Sequence, residues 1–187
     1  GTASNNAKYY SGYANDAVER QGILWNKTGG YDGKGAYRTN ASHYLDGALP
    51  ANSANANLSI TAWVRPDAIT GAVQTVFLKG AGGVCFGYGI SLSDSSGLLQ
   101  ARGTSGTPNI GSIGVVANAW QHIAVVYNQS GGYGYINGTF VGNNTGATTN
   151  TCAATNYSIG CRPGDCIQPF IGHIDDLTVW NRSLTAS

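Results

Sequence analysis

Apolar and polar residues alternate with a period of two along most of this 187-residue chain. The alternation is clearest in the segments Leu58–Val64, Gly89–Ser93 and Trp120–Tyr127. Successive side chains of a strand point to opposite faces, so this pattern predicts strands with one buried face and one exposed face. No segment shows a helical period that competes with this interpretation.

The segment from Tyr133 to Gly142 predicts a tight β-hairpin. Asn137 and Gly138 lie between two apolar runs, and a type I′ turn needs positive φ at both central residues. Predicted strands recur roughly every 8–12 residues with turn-forming clusters between them, which is typical of antiparallel sandwiches. We therefore predict an N-terminal arm at residues 1–8 and one domain at residues 9–187.

Eight Asn-x-Ser/Thr sequons predict a secreted glycoprotein. Random placement of the 17 Asn, 15 Ser and 16 Thr residues would give only about three sequons. The alternative is a composition rich in turn-forming residues, because sequons can be present and unused. The predicted acceptors are Asn26, Asn40, Asn57, Asn128, Asn137, Asn143, Asn156 and Asn181.

Charge and composition favour the same extracellular setting. Only 10% of the residues are charged, against about 25% in average soluble domains. The net charge is +1, and the ten Lys and Arg residues are scattered singly, so no basic patch marks a nucleic-acid partner. No apolar run approaches the roughly 18 residues that span a membrane. We expect a secreted or cell-surface location, no nucleic-acid partner and no membrane span.

Four cysteines, Cys85, Cys152, Cys161 and Cys166, allow three disulfide pairings. Cys161 and Cys166 enclose Arg-Pro-Gly-Asp, a strong turn sequence, so we predict a local disulfide there and a second one between Cys85 and Cys152. A zinc site is the alternative. It is disfavoured because the spacing lacks two close Cys-x-x-Cys pairs and an extracellular protein favours disulfides.

Several motifs resemble, in order and spacing, the laminin-G-like jelly roll of the concanavalin A-like lectin/glucanase superfamily. They are Leu58–Pro66, Gly89–Leu92, Trp120–Tyr127, Tyr135–Gly138, Ser158–Gly160 and Gly172–Arg182, with Gly12–Asp16 similar to the family's first strand. The resemblance covers roughly residues 9–184 and implies an all-β fold, a two-sheet antiparallel jelly-roll sandwich. It does not imply one function, because this fold hosts lectins, adhesion modules, pentraxin-like assemblies and glucanases.

The acidic residues argue against a glycosidase. Such enzymes commonly use two carboxylates about 5–9.5 Å apart, and the glucanase relatives supply them from alternate positions along one strand. This chain has one Glu, Glu19, in a turn-like stretch. Asp175 and Asp176 are consecutive in a predicted strand, so we expect their side chains to point to opposite faces. We therefore predict no enzymatic activity.

The resemblance implies one cofactor, a structural Ca²⁺ near the first strand. It places the ligands at Asp16 and at one of Asp175 and Asp176, and carboxylate oxygens suit Ca²⁺. Two further acids found in relatives are missing from residues 38–44, which read Arg-Thr-Asn-Ala-Ser-His-Tyr. The alternative is that Asp16 caps a turn and Asp176 satisfies a buried loop.

The aromatic and histidine side chains are open to a structural and a functional interpretation. The four tryptophans and eleven tyrosines could provide stacking platforms for sugars. Trp63, Trp120 and Trp180 lie in strand motifs where aromatic residues of the family usually fill the core, so we predict that they are core residues. The histidines lack a nucleophile or carboxylate pattern, and we interpret them as structural: His43, His122 and His173.

Two classes of function remain. The first is a structural, self-associating subunit of a surface assembly or filament, whose partners are copies of itself or another extracellular protein. The second is a carbohydrate-binding or cell-adhesion module of a larger secreted protein, with a glycan ligand. We favour the first, because the polar arm with Tyr9, Tyr10 and Tyr13 could add to a neighbouring sheet edge. Glycans at Asn137 and Asn143 would also crowd a ligand-binding rim.

Overall fold

The computed structural model describes residues 6–7, 16–22, 24–49, 57–81, 85–93, 95–103, 108–149, 153 and 155–185. In these ranges the chain forms fifteen strands and no helix, which confirms the all-β prediction. The strands are β1 Asn6–Ala7, β2 Ala17–Arg20, β3 Leu24–Asn26, β4 Ala36–Thr39, β5 Tyr44–Ala48, β6 Leu58–Pro66, β7 Gln74–Ala81, β8 Cys85–Leu92, β9 Leu98–Arg102, β10 Asn109–Gly114, β11 Gln121–Asn128, β12 Gly131–Ile136, β13 Thr139–Asn144, β14 Asn156–Ile159 and β15 Gly172–Trp180.

The strands form two antiparallel sheets that enclose one core. The eight-stranded sheet has the order β1-β2-β5-β14-β7-β8-β9-β10, and the seven-stranded sheet has the order β13-β12-β11-β6-β15-β4-β3. Buried apolar side chains from both sheets, such as Ile60 of β6 and Ile90 of β8, belong to a single cluster. This is the predicted two-sheet sandwich of the jelly-roll type. In the described ranges, nothing helical is long and apolar enough to span a membrane.

The hairpin between β12 and β13 has the predicted turn. Asn137 and Gly138 have φ values of 50° and 76°, as a type I′ turn requires. Asn137 also fastens the turn to β11, because its N–H donates to the His122 carbonyl at 2.8 Å. Its Oδ1 in turn accepts the His122 N–H at 2.9 Å.

Residues 161–171 cover part of the eight-stranded sheet, around Thr75 and Arg102. Cys161 and Cys166 are joined in a disulfide, with Cα atoms 4.9 Å apart, around the turn that their spacing predicts. Beyond this turn, the carbonyl of Gln168 accepts the Thr75 N–H at 2.9 Å. Its side-chain Oε1 accepts a hydrogen bond from Arg102 Nη2 at 2.6 Å. The segment therefore covers buried polar side chains of this sheet, such as Arg102 and Ser91.

The part of the N-terminal region that the structure describes pairs with a strand of the same chain. Asn6 and Ala7 form β1 and pair with Val18 and Ala17 of β2 at the edge of the eight-stranded sheet. Residues 1–5 and 8–15 lie outside the described residues. The boundary between an arm at 1–8 and a domain at 9–187 therefore stays a prediction, as does any role of Tyr9, Tyr10 and Tyr13 in assembly, since all three lie in that part.

Candidate functional site

Cross-strand pairing aligns the outward-facing side chains of the seven-stranded sheet in rows. Ile60, Ala62 and Val64 of β6 point into the core. The intervening residues of β6 therefore point outward, together with their partners on the neighbouring strands. We call this surface the outer face. Its rows are Arg38–His173–Arg65, then Asp175–Trp63–His122, then Thr178–Thr61–Ala124–Tyr135–Phe140.

Trp63 carries a second aromatic ring flat on its own. The Tyr31 ring stacks on it with centroids 4.2 Å apart and planes 7° from parallel. Tyr31 comes from the Gly-rich loop, residues 27–35, which connects β3 with β4. Tyr31 is still 40% exposed, so part of this aromatic pair remains in contact with solvent. The pair is thus a supported, outward-facing aromatic platform.

Glycine at position 30 allows this loop to reach the sheet. A Cβ on Gly30 would lie 2.6 Å from Asp175 Oδ2 and would overlap the carbonyl of Gly35. The Tyr31 N–H donates to the same Asp175 Oδ2 at 3.3 Å. Next to Tyr31, Asp32 braces the loop by accepting hydrogen bonds from the Lys34 N–H and Nζ, both at 2.9 Å. The position of Tyr31 is therefore determined by loop and sheet together.

Asp175 and Asp176 do not alternate across the strand as predicted. A β-bulge lies between Asp175 and Thr178, and Asp176 has a φ of 46°, which breaks the period of two. Both carboxylates influence the pKa of the Tyr31 hydroxyl group. Desolvation, followed by the charge of Asp176, raises the pKa of Tyr31 above its ordinary value. Burial, followed by the same neighbour, also raises the pKa of Asp175.

His122 borders the platform on the other side of Trp63. Its ring meets the Trp63 ring edge-on, with centroids 5.5 Å apart at 64°. Burial lowers the pKa of His122, which favours the neutral imidazole at neutral pH. A neutral imidazole offers one hydrogen-bond donor and one acceptor. The interpretation of this histidine as purely structural is thus incomplete, since it also lines the outer face.

A groove of about 270 Å³ continues from His122 along the outer face. Phe140, 51% exposed, stands at its far side with its ring 5.6 Å from that of Tyr135. The face therefore combines flat aromatic rings, carboxylates and an imidazole around a shallow depression. The groove is lined by Thr61, His122, Ala124, Val126, Tyr135, Gly138, Leu184 and Thr185.

The prediction that the strand tryptophans fill the core is wrong. Trp63 is half-buried on the outer face, and Trp180 is 38% exposed at the end of β15. Trp120 is also half-buried and packs edge-on against His173 at 6.2 Å. The fourth, Trp25, is 49% exposed at the sheet edge. The alternation along β6 puts Trp63 on the same face as the polar residues Ser59 and Thr61. For Trp63, this alternation predicts the observed orientation better than the family motif does.

A larger groove, of about 830 Å³, lies on the other sheet and has different chemistry. It is lined by β2, β5, β14 and the turn at Pro163 and Gly164. Its ionic groups satisfy each other, since Arg20 Nε donates to Asp46 Oδ1 at 2.8 Å. It contains no pair of stacked rings in the described residues. We therefore take the outer face, and not the larger volume, as the candidate site.

The predicted calcium ligands come from two different sheets. Asp16 directly precedes β2 of the eight-stranded sheet, whereas Asp175 and Asp176 lie in β15 of the other sheet. Within the described ranges, no group of three or more His, Cys, Asp or Glu residues could hold a metal ion. Both oxygens of Asp175 already accept backbone N–H groups, from Tyr31 and from Asp176. The calcium site therefore stays a prediction.

Glu19 lies in β2 and not in a turn, contrary to the prediction. Its Oε1 accepts a hydrogen bond from the Tyr37 hydroxyl at 2.9 Å, across the edge of the two sheets. The structure therefore gives this carboxylate a bracing role.

The eight sequon asparagines are all at least partly exposed. In three of them the side chain makes the turn: the Oδ1 atoms of Asn26, Asn40 and Asn128 accept the N–H two residues on, at 3.3, 2.8 and 2.8 Å. These three asparagines therefore have a role in turn formation, which agrees with the alternative of a composition rich in turn-forming residues. Glycosylation stays a prediction at every position.

The second predicted disulfide lies partly outside the described residues. Cys85, at the start of β8, is disulfide-bonded. Its predicted partner, Cys152, is outside the described ranges, so this pairing stays a prediction.

Tyr31 is the site residue that sequence reasoning missed. The segment Gly29-Gly-Tyr-Asp-Gly-Lys-Gly35 does carry a signal, because a lone aromatic residue stands among four glycines between two short strands. Glycines let a loop approach a neighbouring surface closely. The docking partner, Asp175, is 144 residues away, so the signal could not reveal where the loop lies.

Comparison with known proteins identifies the family. A family model described as the concanavalin A-like lectin/glucanases superfamily matches residues 32–187. The chain belongs to this family, as its motifs predict. A search of curated protein sequences finds no significant match.

Three solved structures show the same fold at low identity. Domain 4 of AbnA, a GH43 extracellular arabinanase from Geobacillus stearothermophilus solved with arabinotriose, has a TM-score of 0.67 and 24% identity, covering 88% of this chain and 77% of that one. The binding domain of botulinum neurotoxin serotype G gives 0.67 and 15%, covering 94% and 45%. Trypanosoma rangeli sialidase with the inhibitor DANA gives 0.65 and 14%, covering 93% of this chain but only 28% of the enzyme.

Proposed function

We propose that this chain is a non-catalytic carbohydrate-binding module whose ligand lies on the outer face. The observation that carries the proposal is the Tyr31 ring, stacked on Trp63 and still 40% exposed. An aromatic ring has a negative face, and a sugar ring presents weakly positive C–H groups on its flat sides. A sugar stacked on Tyr31 would cover apolar surface that otherwise faces water.

Polar groups around the platform suit the hydroxyl groups of a sugar. The exposed carboxylate of Asp176 can accept hydrogen bonds from hydroxyl groups. The neutral His122 ring can both donate and accept. Aromatic walls with a few placed polar groups are typical of ligand sites. The groove beyond His122 provides room for further sugar residues.

Known proteins of the same fold support this class of ligand. The arabinanase domain was solved with a sugar, arabinotriose, and the sialidase was solved with the inhibitor DANA. The arabinanase is described as extracellular. Together with the disulfide at Cys161 and Cys166, this supports a secreted or cell-surface location.

A non-catalytic role fits the way the acidic side chains are used. Asp175 holds the backbone of the Gly-rich loop, and Glu19 accepts the Tyr37 hydroxyl. Neither carboxylate is available as one of two acids that flank a bond. We propose that binding is not followed by hydrolysis.

Calorimetric titration tests the proposal. The probes are arabinotriose and a panel of neutral pentose and hexose oligosaccharides. At least one should bind, and Tyr31→Ala should weaken it by about tenfold or more, because aromatic anchors dominate binding energies. Tyr44→Ala, on the opposite sheet, is the matched control and should leave affinity unchanged. Absence of binding across the panel, or equal loss in both variants, would refute the outer-face site.

Assembly is the second candidate. Among the described residues, Asn6 and Ala7 of β1 lie at one edge of the eight-stranded sheet, paired with β2 of the same chain. The outer side of an edge strand presents unpaired backbone groups that another chain can use. If assembly uses this edge, removing residues 1–8 should reduce the particle mass measured by light scattering. An intact chain that is monomeric at high concentration excludes it.

A further inference from the structure

The first row of the outer face contains an arginine without an acidic partner. Arg38 is neutralised, because its Nη2 lies 2.6 Å from Asp67 Oδ2. Arg65, two strands away in the same row, has a single contact in the described part of the chain, a long hydrogen bond of 3.5 Å from Nε to the Asn118 carbonyl. A backbone carbonyl does not neutralise a guanidinium. The Arg65 charge is therefore directed at solvent on the outer face.

His173 lies between the two arginines and is the buried residue of this row. It is only 9% exposed, and its Nδ1 atom has no hydrogen-bond partner among the described residues. The nearest acid is Asp67, with Oδ1 4.0 Å from that nitrogen. Trp120 packs edge-on against the ring and borders the row. The surface beside Arg65 thus contains an aromatic ring and a buried imidazole.

His173 itself contributes little charge at neutral pH. Burial lowers its pKa, the Asp67 carboxylate opposes this effect, and Arg65 and Arg38 add to it. The net charge of the row is therefore carried by Arg65. A guanidinium presents a planar fork of donors that matches a carboxylate, so this residue is suited to bidentate recognition.

Arg65 lies next to the platform along β6, two residues from Trp63, a distance of about 7 Å at the usual rise per residue. Asp175 pairs with Trp63 from the neighbouring strand β15, and the charges of Asp175 and Asp176 act on Tyr31. A ligand on the platform therefore meets a cation in the direction of β6 and carboxylates in the direction of β15, and this separation of charge favours one orientation of an acidic ligand.

We propose that Arg65, with Trp120 beside it, is a subsite for the carboxylate of an acidic sugar. This inference rests on the proposed function, since the neighbouring residue of the same saccharide stacks on Tyr31. The ligand class is a polysaccharide that contains uronic acid. Its carboxylate pairs with Arg65, and its hydroxyl groups face the carboxylates of Asp175 and Asp176.

A matched pair of ligands tests the subsite. An oligogalacturonate and the same oligosaccharide as its methyl ester differ only in the charge of the carboxyl groups. We expect the acid to bind the intact chain about tenfold more tightly than the ester, since hydrogen bonds to charged groups are the stronger ones. Arg65→Gln should remove this preference. Lys27→Gln also removes one positive charge, but from an exposed side chain of the Gly-rich loop, and should retain it.

The outcomes separate this inference from the proposed function. Equal binding of acid and ester, equal effects of Arg65→Gln and Lys27→Gln, or binding of neutral oligosaccharides alone would overturn the subsite and leave the platform intact. Loss of both ligands in Tyr31→Ala, with the acid preference lost only in Arg65→Gln, supports both. If no saccharide of either charge binds, both proposals fail.

Discussion

The two outer faces of this sandwich are built from the same alternating strands but are used in opposite ways. On the eight-stranded sheet, Arg102 is 1% exposed and donates to Ser91 Oγ at 2.8 Å and to Gln168 Oε1 at 2.6 Å. Ser91 in turn donates to Gln100 at 3.2 Å. Polar side chains are thus sealed from water and satisfied by each other.

On the seven-stranded sheet, the outward side chains include aromatic rings that remain in contact with water. Tyr31, Phe140 and Trp180 are 40%, 51% and 38% exposed. Contiguous apolar surface on a folded protein commonly marks a binding site. If the outer face binds a ligand as we propose, stability and recognition belong to separate sheets, and mutations should affect them separately.

The largest expected effect is on the sealed face. Arg102→Ala removes a large buried side chain together with its hydrogen bonds to Ser91 and Gln168, so the free energy of unfolding should fall by about 3 kcal/mol. Urea denaturation measures this value. Lys27→Ala, at an exposed position, should change it by less than about 0.5 kcal/mol. If Arg102→Ala instead left stability unchanged, the layer would not be sealed.

Opening the cover of the same face should have the next largest effect. Replacing both Cys161 and Cys166 with Ser removes a short cross-link, which we expect to lower the free energy of unfolding by about 2 kcal/mol. Ligand affinity at the outer face should stay the same, because the cover lies on the other sheet. A loss of binding in the folded variant would show that the two faces are coupled.

A smaller effect should follow from pH. Burial lowers the pKa of His122 and of His173, so between pH 6.5 and their folded-state pKa values the unfolded chain binds more protons. Their contribution to stability is complete above pH 6.5 and is lost as pH falls below it. Thermal unfolding between pH 7.5 and 5.5 should show a falling midpoint. The double variant His122→Gln/His173→Gln should flatten this slope, and an unchanged slope would assign it to other groups.

The strands could be predicted from sequence because their signals are local. The alternation in β6 and the Asn137-Gly138 turn depend on neighbouring residues only, and both are present in the structure. The site depends on distant contacts. Tyr31 is positioned by Asp175, and the bulge at Asp176 depends on how β15 pairs with β6. The pattern therefore predicted strands that carry the site, but it predicted neither the site nor the platform on them.

The most direct test of the outer-face site follows the four tryptophan indole N–H signals by NMR during titration with a saccharide that binds. Trp63 should shift, because it lies beneath the Tyr31 platform, and Tyr31→Ala should reduce that shift. Backbone signals of β2, β5 and β14, which line the larger groove, should not move. Shifts confined to those three strands, with Trp63 unchanged, would contradict the account.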